Sequence, residues 1–300
     1  MKIIVIDSAG KGPYNQSFAR YLPNFEIRGH SLVSGPEGAH GYQCAYYACL
    51  PCTLIHGKHE LVLIRIFDAD GNPIVGADQW MLDVLREECR PDENGKWPYI
   101  NMSWGQDDGD NKLGELWGQK AWEDWAKDFV DVIGESVPFA ASGNSDHNDL
   151  DNDISYPHRL LPFLTHIVGS HNRAGIPSEF SGDGAGVFLT MWGENVPLLD
   201  GDGFWARGSG TSFASPKACG LAAYLGLNSK EFREYVRGHA TKPDKYSGYL
   251  PHVKWGWGSL EYRYQEIVSD CPDWQRPSRL RTSIMAVDEY RDWQCVKSNL

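Results

Sequence analysis

The chain has 300 residues, 41% hydrophobic and 23% charged, with a formal net charge of −12. A chain of this size can bury a large core as one domain, or as one domain with an extension. Its acidic balance argues against a nucleic-acid partner, whose phosphates need clustered Lys and Arg. No apolar run approaches the ~20 residues of a membrane helix, and Met1-Lys2-Ile3-Ile4-Val5-Ile6-Asp7 is too short an apolar stretch for a signal peptide. Twelve Trp and 14 Tyr favour a rigid, aromatic-rich surface or groove, and seven Cys that do not pair by spacing imply reduced thiols.

In chain order, Ile3 to Ile6 is a continuous β-branched run that suits a buried parallel strand. It delivers Asp7 to the carboxyl end, where α/β folds place their sites; taken alone, Asp7 fits a turn cap equally well. Residues 11 to 38 are turn-rich, and His40-Gly41-Tyr42 precedes a helix over Gln43 to Leu50 rich in Tyr and Cys. Cys44, Cys49 and Cys52 have no second half-site with zinc spacing. His56 and His59 are not a metalloprotease pair, because Gly57 and the following strand oppose the helix such a pair requires. Leu61 to Asp68 reads as a strand ended by Asp70-Gly71-Asn72-Pro73, and Trp80 to Arg90 has helical spacing. Tyr99 to Gly105 is a further strand with its exit loop, Leu113 to Gly134 an amphipathic helix, and Val137 to Asn144 an apolar strand ending in Gly-Asn. The carboxylates at 149, 151 and 153 are candidate Ca²⁺ ligands, but Ile154 stands where an EF-hand needs Gly, so a solvated acidic loop is expected. Ser229 to Gly238 reads as a surface helix.

The organising stretch is Gly208-Ser209-Gly210-Thr211-Ser212-Phe213-Ala214-Ser215-Pro216, running into Lys217 to Leu225. Two glycines supply a tight turn, and Pro216 falls where a helix tolerates it. The following residues are small or apolar on nearly every face, so the helix should be buried on all sides. Ser212 would then lie at the positive end of a buried helix beside free backbone N–H groups, where an acyl-transfer nucleophile profits. Capping of the helix by Thr211 or Ser212 is the alternative.

Gly210-Thr211-Ser212-Phe213-Ala214-Ser215-Pro216 resembles the nucleophile motif G-T-S-x-A-x-P of the subtilisin-like serine peptidases, the subtilases. The resemblance extends over about residues 1 to 265. It implies an α/β three-layer sandwich with a central, mostly parallel sheet as a catalytic domain over 1–265, and a C-terminal extension over 266–300 that packs on the body or a partner. By the same resemblance Asp7, His40 and Ser212 form the triad and Asn144 supplies the oxyanion hole. Ser103, Trp104, Gly105, Ser142, Gly143 and Ser155 line the bound peptide. Tyr42 for Thr after the His and Trp104 for Leu in the substrate strand depart from the family pattern.

The function so implied is hydrolysis of peptide bonds in a polypeptide substrate by a serine endopeptidase, with no cofactor and no metal, Ca²⁺ at the acidic loop being the one open case. The other reading is a structural or binding component of a larger assembly, a viral one included, that keeps the fold with weak or no activity. Met1 at the head of the first strand leads to the expectation of a chain made without the propeptide that subtilases usually carry, rather than a mature form. The lack of a signal peptide leads to the expectation of a cytoplasmic or virion-associated location. No membrane or nucleic-acid partner is expected, and residues 266–300, outside the resemblance, are expected to meet the body, a protein partner or a second copy. Small Ser155 beneath Asp151 and Asp153 leads to the expectation of a bulky or basic residue before the cut.

Overall fold

The computed structural model describes residues 1–10, 18–104, 119–144, 165–199, 205–242 and 254–272. Seven strands form one parallel sheet in the order β2-β3-β1-β4-β5-β6-β7. They are β1 (Lys2–Asp7), β2 (Phe25–Ser31), β3 (His59–Arg65), β4 (Tyr99–Met102), β5 (Val137–Ala141), β6 (His166–His171) and β7 (Leu189–Trp192). A small antiparallel hairpin pairs β8 (Val196–Leu199) with β9 (Trp205–Gly208). Among the described residues the α-helices include α1 (Ala39–Cys49), continued by a 3-10 turn over Leu50–Leu54, α2 (Ala77–Glu88), α3 (Gln119–Ile133), α4 (Thr211–Leu225), α5 (Ser229–His239) and α6 (Glu261–Val268).

Alternation along β1 builds the three layers. Ile3 and Val5 enter one core with α1, α4, α5 and α6, while Ile4 and Ile6 enter the other with α2 and α3. All four are fully buried, and each contributes about 1.5–3 kcal/mol relative to exposure. This is why the strand reads as an unbroken apolar run rather than an alternating one. α4 is buried from Thr211 through Ala223, as its lack of a polar face demands.

Two elements differ from the sequence reading. Residues 25–31, read within a turn-rich stretch, form the edge strand β2. It lacks an apolar pattern because charges hold it: Arg28 donates to Glu88 Oε1 and to Glu60 Oε2, both at 2.8 Å, and Lys2 donates to Glu88 Oε2 at 3.2 Å. α6 was not anticipated as a helix either. It runs across residue 266, and Ile267, Val268 and Cys271 are buried in the same core as α4.

Candidate active site

β1 carries Asp7 to the carboxyl edge of the sheet where the strand order reverses, with β3 on one side and β4 on the other. Asp7 is buried, and its Oδ1 accepts from the Ser8 N–H (2.7 Å), the Ser8 hydroxyl (3.0 Å) and His40 Nδ1 (2.9 Å). Oδ2 lies 3.0 Å from the same ring nitrogen. Ser8 Oγ also accepts the Gly41 N–H at 3.2 Å, which ties the first turn of α1 to the strand. Gly41 is required there, since a Cβ would stand 2.6 Å from the Ala9 nitrogen. Tyr42, the departure from the family pattern, is occupied in donating to Glu37 Oε2 at 2.6 Å and packs edge-on to Phe18.

The bond to Asp7 places the proton of the neutral His40 ring on Nδ1 and leaves Nε2 as a base. Burial opposes a charge on the ring, but the Asp7 carboxylate overrides it and holds His40 well above the ordinary histidine value. The side chain stays 39% exposed, so Nε2 is approachable.

Ser212 is the second residue of α4. Its carbonyl accepts from Ser103 Oγ (2.7 Å) and from Cys44 Sγ (3.3 Å). Cys44 Sγ in turn lies 3.9 Å from both nitrogens of His40, and the Phe213 ring sits 5.5 Å from the His40 ring. His40 and Ser212 are thus brought together through shared neighbours. No hydrogen bond joins their side chains directly, a looseness common in sites without substrate. Ser103 is held by Asn101 Nδ2 (2.8 Å), and Asn101 Oδ1 accepts from Ser215 Oγ (2.8 Å).

The exposed Asn144 has a settled orientation. Its Oδ1 accepts the Thr211 N–H (2.8 Å) and the Thr211 hydroxyl (2.9 Å), so the other end is the NH₂ and it lies beside Gly210. Gly210 caps α4 with no side-chain acceptor, and among the described residues the Ser212 N–H has no partner. The Asn144 amide and the Ser212 N–H therefore remain as two donors at one helix end.

Of the residues expected to meet a peptide, Ser103 turns its side chain inward and Ser142 is fully buried, with its N–H on the Val168 carbonyl. The Gly143 N–H donates to Thr211 Oγ1 at 3.1 Å. Trp104 is half-buried and packs edge-on to Phe67, with ring centroids 5.8 Å apart. Gly105, Ser155, Asp151, Asp153 and the carboxylate loop lie outside the described residues. The sequence reading missed Ser8, Asn101, Thr211 and Cys44 as parts of the site. Cys44 carried a usable signal, since a residue four after His40 on a helix shares its face.

Asp7, His40 and Cys44 offer ligand atoms within 4.8 Å of one another. His40 Nδ1 is already bonded to Asp7, however, and burial pushes the Cys44 thiol up, so it is protonated at neutral pH. The donor set suits proton transfer better than metal ligation. The other described thiols fare similarly: Cys49, Cys52, Cys89, Cys219 and Cys271 are all buried, and Cys49-Leu50-Pro51-Cys52, though at Cys-x-x-Cys spacing, has both thiols pushed up by burial.

The model of the Subtilase family, Peptidase_S8, matches residues 55–239, a span holding Asn144 and Ser212. The chain belongs to the subtilase family. This subtilase is 28% identical over 224 residues to the Subtilisin-like protease 3 of Pseudogymnoascus destructans, covering 69% of the chain and 49% of that relative. It is 36% identical over 86 residues to the Cell wall-associated protease of Bacillus subtilis, covering 29% of the chain and 9% of that protein. The subtilase thus spans about half, or less, of the length of these curated relatives. Its fold superposes on the crystal structure of a lanthipeptide protease with a TM-score of 0.66 at 19% identity, covering 90% of this chain and 87% of that one.

Proposed function

We propose that this subtilase is a serine endopeptidase in which Asp7, His40 and Ser212 form the triad and Asn144 completes the oxyanion hole. The observation that carries the reading is buried Asp7 paired with the part-exposed His40, set beside a serine whose own N–H has no partner among the described residues at a helix end. Asp7 fixes the tautomer, and His40 Nε2 takes the Ser212 hydroxyl proton as Oγ attacks the peptide carbonyl. The Asn144 NH₂ and the Ser212 N–H stabilise the oxyanion. His40 then gives its proton to the leaving amine, and water, deprotonated by the same ring, releases the acyl group. A polypeptide substrate fits the family and the lanthipeptide protease among the structural neighbours.

The complete donor, base and nucleophile set favours hydrolysis over a purely structural use of the fold. A fluorophosphonate reacts quickly only with an activated serine. It should label this protein once, on the peptide carrying Ser212. No labelling of the folded protein, or labelling elsewhere, would refute the assignment.

A further inference from the structure

Behind the nucleophile helix lies a charge pair that peptide hydrolysis does not use. Lys217, five residues after Ser212 on α4, has a side chain 1% exposed, and that of Glu261, which opens α6, is 2% exposed. Lys217 Nζ donates to Glu261 Oε1 at 3.1 Å and to the Trp192 carbonyl at 2.7 Å. Glu261 Oε2 accepts the Trp192 N–H at 2.9 Å. One ion pair thus holds both backbone groups of the last residue of β7. The Trp192, Tyr47 and Tyr264 rings lie 4.5, 5.2 and 5.5 Å from the ammonium and enclose it. Glu261 is itself anchored, since its N–H donates to Ser259 Oγ at 3.0 Å and that hydroxyl meets His171 Nε2 at 2.8 Å.

From Trp192 the path to the nucleophile is one residue long. The Gly193 carbonyl accepts the Gly210 N–H at 2.9 Å, and its N–H donates to the His171 carbonyl at 3.2 Å. A Cβ on Gly193 would stand 2.5 Å from the Gly210 oxygen, so the two backbones are in contact. Gly210 caps α4 two residues before Ser212.

A buried ion pair is a weak source of stability, because desolvation of both charges offsets their attraction and apolar residues often serve as well. Apolar residues cannot, however, grip the donor and the acceptor of one residue at once. We propose that Lys217 and Glu261 are positioning residues for Ser212, fixing Trp192 and, through the Gly193–Gly210 contact, the turn that presents the nucleophile and its N–H. The proposal rests on Ser212 being the nucleophile.

The test is the double variant Lys217→Met/Glu261→Gln. It leaves no unpaired buried charge, keeps an acceptor for the Trp192 N–H and removes the donor to the Trp192 carbonyl. Two quantities are read: exchange of the Gly210 amide by NMR, and kcat per fluorophosphonate-titrated site. Gly210 exchange should quicken at least tenfold while amides of Ala218 to Leu221 stay within twofold. The kcat per site should fall ten- to a hundredfold, with KM within twofold and the midpoint of the pH profile unmoved. A merely structural role would instead lower the number of titratable sites and spare the turnover of each. Should the double variant fail to fold, Glu261→Gln alone, in which Lys217 still donates, should show a smaller change of the same kind. Wild-type exchange at Gly210 in a folded variant overturns the proposal, and so does wild-type turnover per site. A wild-type protein that takes no label would instead refute the Ser212 reading, while the exchange comparison still decides whether the pair holds the turn.

Discussion

The consecutive helices α4 and α5 end in opposite ways. α5 closes its own N-terminus with a capping box: Asn228 Oδ1 accepts the Glu231 N–H at 3.0 Å, and Glu231 Oε2 accepts the Asn228 N–H at 2.9 Å. It buries only Phe232 and Val236 and needs the cap. α4 has no side-chain cap of its own; its first N–H goes to Asn144 and its second, on Ser212, has no partner among the described residues. An open helix end is costly, and α4 can carry it because thirteen residues from Thr211 to Ala223 are buried against both neighbouring strands and helices. The helix end left open is the one where developing negative charge would be met, while the closed one serves stability alone.

The largest break in that comparison is Ser212→Ala. It should lower kcat by about 10⁶-fold while leaving the thermal midpoint near wild type, because the cap of α4 does not use the serine side chain. Peptide turnover per mole of folded protein, with thermal denaturation, checks both halves.

Asp7→Asn comes next, with an expected loss of about 10⁴-fold in kcat, since the amide favours the wrong tautomer. It also moves the pH dependence. His40 is held above the ordinary value of ~6.5 by Asp7, so wild-type kcat/KM should fall as pH drops through that raised value. The acid limb should lie at lower pH in the variant. Stability follows the opposite sign: the pairing strengthens the fold fully below the ordinary histidine value and is lost as pH rises through the raised one. Unfolding of Asp7→Asn should lack that dependence. An acid limb at the same pH in both proteins would mean that another group titrates.

Asn144→Ala should lower kcat by about 10²–10³ with little change in KM, because the interaction belongs to the transition state. A raised KM at constant kcat would make Asn144 a ground-state contact.

How much of this was readable from the sequence depends on what each segment is held by. β1 and α4 are fixed by burial on every side, which forces continuous apolar composition, so both were evident before any coordinates. Asp7, His40, Asn144 and Ser212 stood at motif positions, and the fold brings them to one end of the sheet. β2 was hidden because Arg28, Glu60 and Glu88 hold it across the edge, and charge pairs leave no periodic pattern. Ser103 was expected to meet the peptide through its backbone; that its hydroxyl also supports the Ser212 carbonyl was not legible. A side chain that bonds backbone 109 positions away gives no local signal.

The smallest effect belongs to Asn228→Ala, and it tests the closed end. The variant removes the acceptor of the Glu231 N–H and should cost about 1 kcal/mol, roughly 2–4 °C in midpoint for a domain of this size. Activity should not change. α4 runs to Leu225, so its far end, which leads into α5, lies about 20 Å along the helix axis from Ser212. Between them α4 is gripped on all sides, which leaves no route for a frayed α5 turn to shift the nucleophile. The measurement is thermal unfolding beside kcat per titrated site. A midpoint drop with unchanged kcat separates a helix end that holds the fold from one that does chemistry. A kcat that fell by more than twofold would show the two ends to be coupled through α4.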